Sequence, residues 1–465
     1  MFCITLAIWW ISEDRHRCKN FPPRAPRLPI LGNILNITSQ LKIPALAMAK
    51  LAKIYGDVMY VKMGMNEAVV FSSHEAAKEI FNCDQANDRV VAGFVRDRNL
   101  NQNMAINWGN GEVWQVLRRF TIRTLRNFGF GKTASMDVVI NEELIKFLEH
   151  FDEILKRSQN NNENLVITTQ LNEFVRISKT GEDISTSFPF LRDWFPEWTG
   201  RNRQSKCIQK LCGFFREVVN EHRSSDSYAT DPQSFLDAFL AKIDETPSDS
   251  MFNDEQLVYT MLDLFQAGAD TSSNSLTFAL LYLTLYPEKQ AKVHEELDAV
   301  LSKDDLITAE MKSKLPYCTA TLLETLRFCS IAPFVANREA VEDFKLRNYT
   351  IKKGTAIMIN LQAMHYDEAV WGDPHVFRPE RFLTENGRVD KAKAELMVSF
   401  GGGRRVCLGQ SLAETTMLMY FTTFFRHFKL QRLNADEEKI APSAVPDLGI
   451  VYSPRPFEAK VIRRK

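Results

Sequence analysis

Several catalytic signatures are absent from this chain of 465 residues. It has no HExxH or HxH to gather zinc, no GxxxxGK[ST] or GxGxxG to cradle phosphates, and no GxSxG to raise a serine nucleophile. Its eight cysteines (Cys3, Cys18, Cys83, Cys207, Cys212, Cys318, Cys329 and Cys407) form no CxxC pair. A chain this long needs no disulfide staples, so reduced thiols are expected. An excess of one charge is also missing. Lys and Arg (58) balance Asp and Glu (58), which argues against a nucleic-acid footprint and against an acidic solvating tail. Glycine (20) and proline (18) are too few for a low-complexity protein. No Gly/Ser/Pro tract after residue 40 is long enough to separate independent cores, so one large domain over 34–465 is expected.

Long apolar runs are scarce as well. Residues 1–11, MFCITLAIWWI, would span only about 16 Å as a helix, against about 30 Å of hydrocarbon. They precede a charged stretch at Glu13, Asp14, Arg15, Arg17 and Lys19. A secretory signal, an interfacial anchor and the stump of a longer transmembrane anchor are the three readings of 1–20. The lack of a basic start and of a small-residue cleavage site favours the last two. Residues 21–33 carry Pro22, Pro23, Pro26 and Pro29, which remove donors and fix φ, and so read as a stiff hinge.

What is present is mainly helical. Periodicity predicts helices over Ala45–Lys53, Ala76–Asn82, Val113–Arg126, Asn141–Ser158, Cys207–Arg223, Glu255–Tyr286, Pro287–Leu301, Tyr317–Cys329 and Gln410–Phe425. Alternation predicts strands over Val58–Gly64 and Glu67–Ser73, and a β-prone stretch over Phe344–Leu361. The expected fold is mainly α with a minor β portion. Residues 255–286 are nearly apolar, but Asp263, Gln266, Asp270, Thr271 and Asn274 interrupt them, which indicates a buried core helix rather than a membrane span.

The most informative segment is Phe400-Gly401-Gly402-Gly403-Arg404-Arg405-Val406-Cys407-Leu408-Gly409, directly before a helix. Its glycines permit positive φ and close backbone approach to a flat ligand, and a cysteine at a helix start is biased toward thiolate. Two readings stand on residue type alone: an anionic sulfur presented to a metal, or a buried structural cysteine.

The segment resembles the haem-binding FxxGxRxCxG signature of the cytochromes P-450 at Phe400, Gly403, Arg405, Cys407 and Gly409. Other marks of that family follow. Glu324-Thr325-Leu326-Arg327 is similar to its ExxR, and Pro379-Glu380-Arg381-Phe382 to its PERF. Ala267-Gly268-Ala269-Asp270-Thr271 resembles its oxygen-binding AGxDT, and Trp114 with Arg118 its WxxxR. The resemblance covers nearly the whole chain and is nearer to animal microsomal members. It implies haem b (iron protoporphyrin IX) with Cys407 as axial iron ligand, and Phe400, Gly409 and Gly268 close to the group. Trp114, Arg118, Arg405 and Asn337 would meet the propionates, and Asp270 with Thr271 would relay protons. Glu324, Arg327 and Arg381 would form a structural ion network.

The same resemblance implies a monooxygenase acting on a small lipophilic substrate, at the cytosolic face of the endoplasmic reticulum membrane. NADPH–cytochrome P-450 reductase would supply the electrons, with cytochrome b5 as a second partner and no nucleic acid. Arg118, Arg119, Arg123, Arg126, Lys132 and Arg404 would make the basic face that meets the reductase. Three departures stand out. Arg24-Ala25 replaces the usual Gly-Pro of the hinge, Asn337 stands where a histidine is common, and most of helix E is missing between 158 and 207. The shortened helix E region leaves a non-functional haem-binding remnant as one alternative. An oxygen-independent haem-thiolate isomerase or dehydratase is the other, although such enzymes often lose the acid and alcohol that Asp270 and Thr271 retain.

Overall fold

A computed structural model describes residues 20–38, 43–130, 133–160, 165–167, 184–224, 226–247, 249–302, 305–433 and 443–464. The expected anchor at 1–19, Lys132 and the stretch 168–183 lie outside the described residues. The main helices are α1 (Pro44–Tyr55), α2 (His74–Phe81), α3 (Gly93–Arg98), α4 (Gly111–Asn127), α5 (Thr133–Asn160), α6 (Phe190–Trp194), α7 (Arg201–Arg223), α8 (Phe235–Glu245), α9 (Asp254–Leu285), α10 (Pro287–Val300), α11 (Pro316–Cys329) and α12 (Gln410–His427). The strands are β1 (Val58–Met63), β2 (Asn66–Phe71), β3 (Asp88–Arg89), β4 (Leu165–Ile167), β5 (Arg338–Glu339), β6 (Phe344–Leu346), β7 (Tyr349–Ile351), β8 (Ala356–Ile359), β9 (Phe428–Gln431) and β10 (Phe457–Arg463).

The apolar run at 255–286 forms α9, the axis of the molecule. Asn253 caps it by accepting the Gln256 amide (2.9 Å), and Asp254 and Glu255 face the positive end of its dipole. Its first half, Leu257–Leu262, packs with α4, α7 and α8 around Trp114, Phe215 and Phe239. Its second half, Phe278–Leu283, packs with α10, α11 and α12 around Leu297, Leu322 and Phe425. The two helical cores therefore share one helix.

Between these halves, Ala267, Gly268 and Ala269 are exposed, although their helix is otherwise largely buried. A mid-helix segment released from both cores is where a flat group can approach the backbone. Among the described residues, no helix is long and apolar enough to cross a membrane.

The minor β portion lies to one side. A five-stranded sheet has the order β1-β2-β8-β5-β3, with β1 antiparallel to β2 from Val58↔Phe71 to Met63↔Asn66 and β2 parallel to β8. A three-stranded sheet has the order β4-β10-β9, and β6 pairs with β7. The sequence reading has no counterpart for α8 or for the pairing of β10 with β4 and β9. Phe457, Ala459 and Val461 alternate correctly, but the strand is defined by partners far away in the chain.

Candidate active site

The cysteine loop is shaped by its glycines. Gly401 (φ +72) and Gly403 (φ +67) occupy the left-handed region, and a Cβ on Gly403 would lie 1.9 Å from the Phe81 carbonyl oxygen at the end of α2. One on Gly402 would meet the Phe81 ring at 2.6 Å. The loop can lie against α2 only without side chains at these positions. Its backbone closes on itself, with the Cys407 amide donating to the Phe400 carbonyl (2.9 Å) and the Val406 amide to Gly403 (3.1 Å). Phe400 packs on the core built by the second half of α9, and Leu408 on the core built by the first. The sulfur is thereby carried between the two cores that border the exposed middle of α9.

Cys407 is exposed to solvent, yet enough protein surrounds it to raise its thiol pKa. The Gly409 amide and the Arg118 guanidinium oppose that rise. Gly409 is also the N-cap of α12, so the sulfur stands at the positive end of a helix. As a free thiol it would keep its proton, whereas a bound metal ion removes it.

Four arginines converge beside this loop. Arg405 donates to the carbonyls of Asn87 (2.7 Å), Ile106 (3.3 Å) and Gly109 (2.8 Å), and lies 3.6 Å from the centre of the Trp114 ring. Arg118 donates to the Val406 carbonyl (2.5 Å), fixing α4 to the cysteine loop. Arg338 donates to Gly402 (2.9 Å), and Arg89 to Asn107 (3.1 Å) and Ala336.

Among the described residues, none of the four makes an ion pair. Burial, together with the mutual repulsion of Arg89, Arg338 and Arg118, pulls Arg405 down to about 8. Burial first, then Arg338 and Arg118, pulls Arg89 to about 9. Burial alone pulls Arg338 to about 10 and lowers Arg118. Arginines do not release their protons in practice, so such a cluster calls for anions. Trp114 Nε1 and Arg338 Nε are buried donors without partners.

A dianionic, planar, metal-centred group fits these residues. Its acid groups would answer the arginines, its metal the accessible sulfur, and its face the glycine-bearing middle of α9. Asn337 reaches this region through its backbone, its carbonyl accepting the Val90 amide (3.3 Å), while the neighbouring Arg338 carries its side chain into the cluster. Arg89 and Arg338 escaped the sequence reading because isolated arginines carry no local pattern.

On α9, Asp270 is buried and Thr271 donates to the Ala267 carbonyl (2.7 Å). Thr271 thus occupies part of the hydrogen-bonding capacity of a carbonyl in the exposed stretch. Asp263, two turns nearer the N-terminus than Asp270, accepts Arg98 (2.5 Å) and the amides of Ile106 (3.0 Å) and Asn107 (2.7 Å). This buried pair ties the loop after α3 to the central helix, a connection invisible in the sequence.

Glu324, Arg327 and Arg381 meet in one buried network. Arg327 donates to both oxygens of Glu324 (2.8 and 2.9 Å), as their spacing of three on α11 allows, and Arg381 donates to Glu324 at 3.0 Å. Arg327 also holds the carbonyls of His365 (2.7 Å) and Pro374 (2.9 Å), and Arg381 that of Trp371 (2.8 Å). No member points to the cysteine through a hydrogen bond. The network instead fixes the segments that precede the cysteine loop.

On the outer side of α4, Arg119, Arg123 and Arg126 line a surface recess with Ile122 and Asn127. Arg404 is exposed beside Trp114 and pairs with Asp84 (3.0 Å). Around α6, Phe190, Trp194, Phe195 and Trp198 are exposed. The β1–β2 tip joins that region, since the Met65 amide donates to Ser187 (2.8 Å) and the Gly64 amide to Leu31 (3.2 Å). Exposed Leu28, Ile30 and Met65 extend the apolar surface there.

Known proteins match nearly the whole chain. The family model described as Cytochrome P450 matches residues 22–178 and 154–461. The chain is 32% identical over 492 residues to cytochrome P450 2C8 of Homo sapiens, covering 98% of this chain and 96% of that protein. It is 32% identical over 495 residues to cytochrome P450 2C23 of Rattus norvegicus (99% and 97% covered), and 33% identical over 479 residues to cytochrome P450 2F5 of Gorilla gorilla gorilla (96% and 94%). The two stretches of the family match overlap at 154–178. The family match is thus divided into two stretches that meet near the start of the region where the sequence reading expects helix E to be short.

Proposed function

Since the chain belongs to the cytochrome P450 family, and with it to the haem-thiolate monooxygenases, we propose that Cys407 is its axial iron ligand and that its substrate is a small lipophilic molecule. The observation that carries this is the pairing of an accessible Cys407 sulfur with a cluster of arginines short of anions. Arg405, Arg118, Arg338 and Arg89 would hold the propionates, with Trp114 Nε1 donating beside them. Arg338 joins Asn337, its neighbour named by the sequence reading, on that side of the site. When bound, haem supplies the activation of O₂, one oxygen atom entering the substrate and the other leaving as water.

The chain's own residues do the rest. The Gly409 amide and Arg118 stabilise negative charge on the sulfur. Asp270, buried beside Thr271, delivers protons to the exposed face of α9, and the Thr271 hydroxyl passes them on when it turns away from the Ala267 carbonyl to which it donates. Asp263 and Arg98 hold the loop after α3 as a wall that keeps water from the reaction. Glu324, Arg327 and Arg381 keep the proximal segments in place.

The electrons come from NADPH through cytochrome P450 reductase, which docks on the basic side of α4. The exposed Arg119, Arg123 and Arg126 support that reading. The apolar surface at Phe190, Trp194, Phe195 and Trp198 supports association with the endoplasmic reticulum membrane, because aromatic side chains favour the bilayer interface. In this reading a hinge at 21–33 leads into a catalytic body over 34–465. Reconstitution with reductase in lipid vesicles tests the scheme. Label from ¹⁸O₂ should enter one product atom, and the rate of flavin-to-haem electron transfer should fall with salt and with Arg123→Glu. Product without ¹⁸O label would overturn the monooxygenase reading, and salt-independent reduction the docking face.

A further inference from the structure

The polar residues of α9 form a stripe. Thr260, Asp263, Gln266, Asp270 and Asn274 recur three or four residues apart, so they share one face of the helix. Asp263 is fully committed to Arg98, Ile106 and Asn107. The hydroxyls of Thr271, Ser273, Ser275 and Thr277 are committed too, each donating to the carbonyl four residues earlier at 2.7 to 2.8 Å.

Three side chains of the stripe have buried atoms without a partner: the Thr260 hydroxyl, ten residues before Asp270, and two amides nearer to it. Asn274 is 1% exposed and its Oδ1 is buried without a partner, and Gln266 Nε2 is likewise buried without one. They lie four residues to either side of Asp270. Buried amide atoms without protein partners are satisfied by ordered water. Neighbours four apart on a helix are separated by about 5–6 Å, which one water bridges with two hydrogen bonds.

We propose that Gln266 and Asn274 are positioning residues that hold the waters through which Asp270 regains its proton. The proposal rests on the monooxygenase reading and extends it. The amides are never protonated themselves. Each proton that Asp270 gives toward Thr271 leaves a carboxylate, and a proton from solvent replaces it along the waters fixed by Gln266 on one side and Asn274 on the other. An unsatisfied buried oxygen on a helix side chain is accounted for by that hydration, since packing alone would favour leucine, an apolar side chain with the same branched skeleton as asparagine.

The test compares wild-type holoenzyme with Asn274→Leu and Gln266→Leu. Both variants should keep the carbon monoxide spectrum of the family and an unchanged or higher thermal midpoint. Product per NADPH should nevertheless fall about tenfold, a fraction of the about 100-fold that a positioned acid supplies, with hydrogen peroxide rising in its place. The solvent deuterium isotope effect on product formation should increase. The infrared carboxyl band that Asp270→Asn removes should shift in apoprotein and holoenzyme alike.

Asn274→Thr, which keeps a hydrated oxygen, should restore most of the yield. Asn274→Ala carries the same test should the leucine variant not fold. Variants that lose thermal stability while keeping product yield, isotope effect and infrared band would show a purely structural role and overturn the proposal. A wild-type protein that lacks the family's spectrum would instead overturn the reading on which it rests.

Discussion

The Arg405 guanidinium lies 3.6 Å from the centre of the Trp114 ring, although 290 residues separate them along the chain. Arg405 belongs to the cysteine loop and Trp114 to α4, so this stack locks the two halves of the site together. It also explains why Arg405 keeps a fixed plane amid three other cations: the ring face attracts the guanidinium, and three backbone carbonyls accept its protons.

Replacing Arg405 with Lys should therefore damage the site while preserving its charge. A lysine reaches one partner as a point charge and loses both the stack and the fork. With about 1.5–3 kcal/mol lost for a hydrogen bond to a charged group, haem should dissociate at least tenfold faster. Transfer of haem to apomyoglobin measures this directly, and an unchanged rate would remove Arg405 from the site.

Glu324→Gln should be more severe. Glu324 accepts from Arg327, Arg381 and the Arg378 amide (2.9 Å) in a fully buried place, and neutralising it leaves the buried Arg327 charge uncompensated and Arg381 with Asp373 (3.1 Å) as its remaining carboxylate. The expected cost is about 3–5 kcal/mol, read as a lower thermal midpoint and little haem-loaded protein. A stable, haem-retaining Glu324→Gln protein would contradict the structural role.

Gly403→Ala should displace the cysteine loop. The added Cβ would lie 1.9 Å from a backbone carbonyl at the end of α2, and the residue has φ +67. Both penalties fall on backbone that no side-chain rotation can relieve, so the variant should lose the thiolate spectrum before it loses helical content by circular dichroism.

Acid should weaken the fold through His365. Its ring is buried between the hydroxyls of Ser330 (3.0 Å) and Ser399 (3.5 Å). Burial first, then Arg327 and His74, pulls its pKa to about 3. The unfolded histidine takes a proton near 6.5, whereas the folded one stays neutral until about 3. Stability present above pH 6.5 is thus lost as pH falls below it, reaching about 2 kcal/mol at pH 5. Urea titrations at pH 7 and pH 5 should show the drop, and His365→Asn should flatten it.

The parts of this site that announce themselves in sequence are those whose chemistry needs neighbours in the chain. Glu324 and Arg327 pair because three residues is one helical turn, and Gly401 to Gly403 precede Cys407 because the loop must lie against α2. Helices such as α9 through α12 are legible because long apolar faces outvote local noise. Arg89 and Arg338 are not, because a single arginine joins a cluster only through β3 pairing with β5. The Arg98–Asp263 pair is hidden for the same reason, its partners being 165 residues apart. The short α6 and the exposed aromatics beside it are not legible as an element, because periodicity over so few residues is too brief to read.

The central claim is that Cys407 presents its sulfur to haem iron. The most direct test is the reduced carbon monoxide difference spectrum of the purified protein and of Cys407→Ser. The wild type should show the red-shifted Soret band that gives the family its name, and Cys407→Ser should lose it while keeping its helical circular dichroism. A wild-type protein without that band, or a Cys407→Ser variant that retains it, would contradict the assignment.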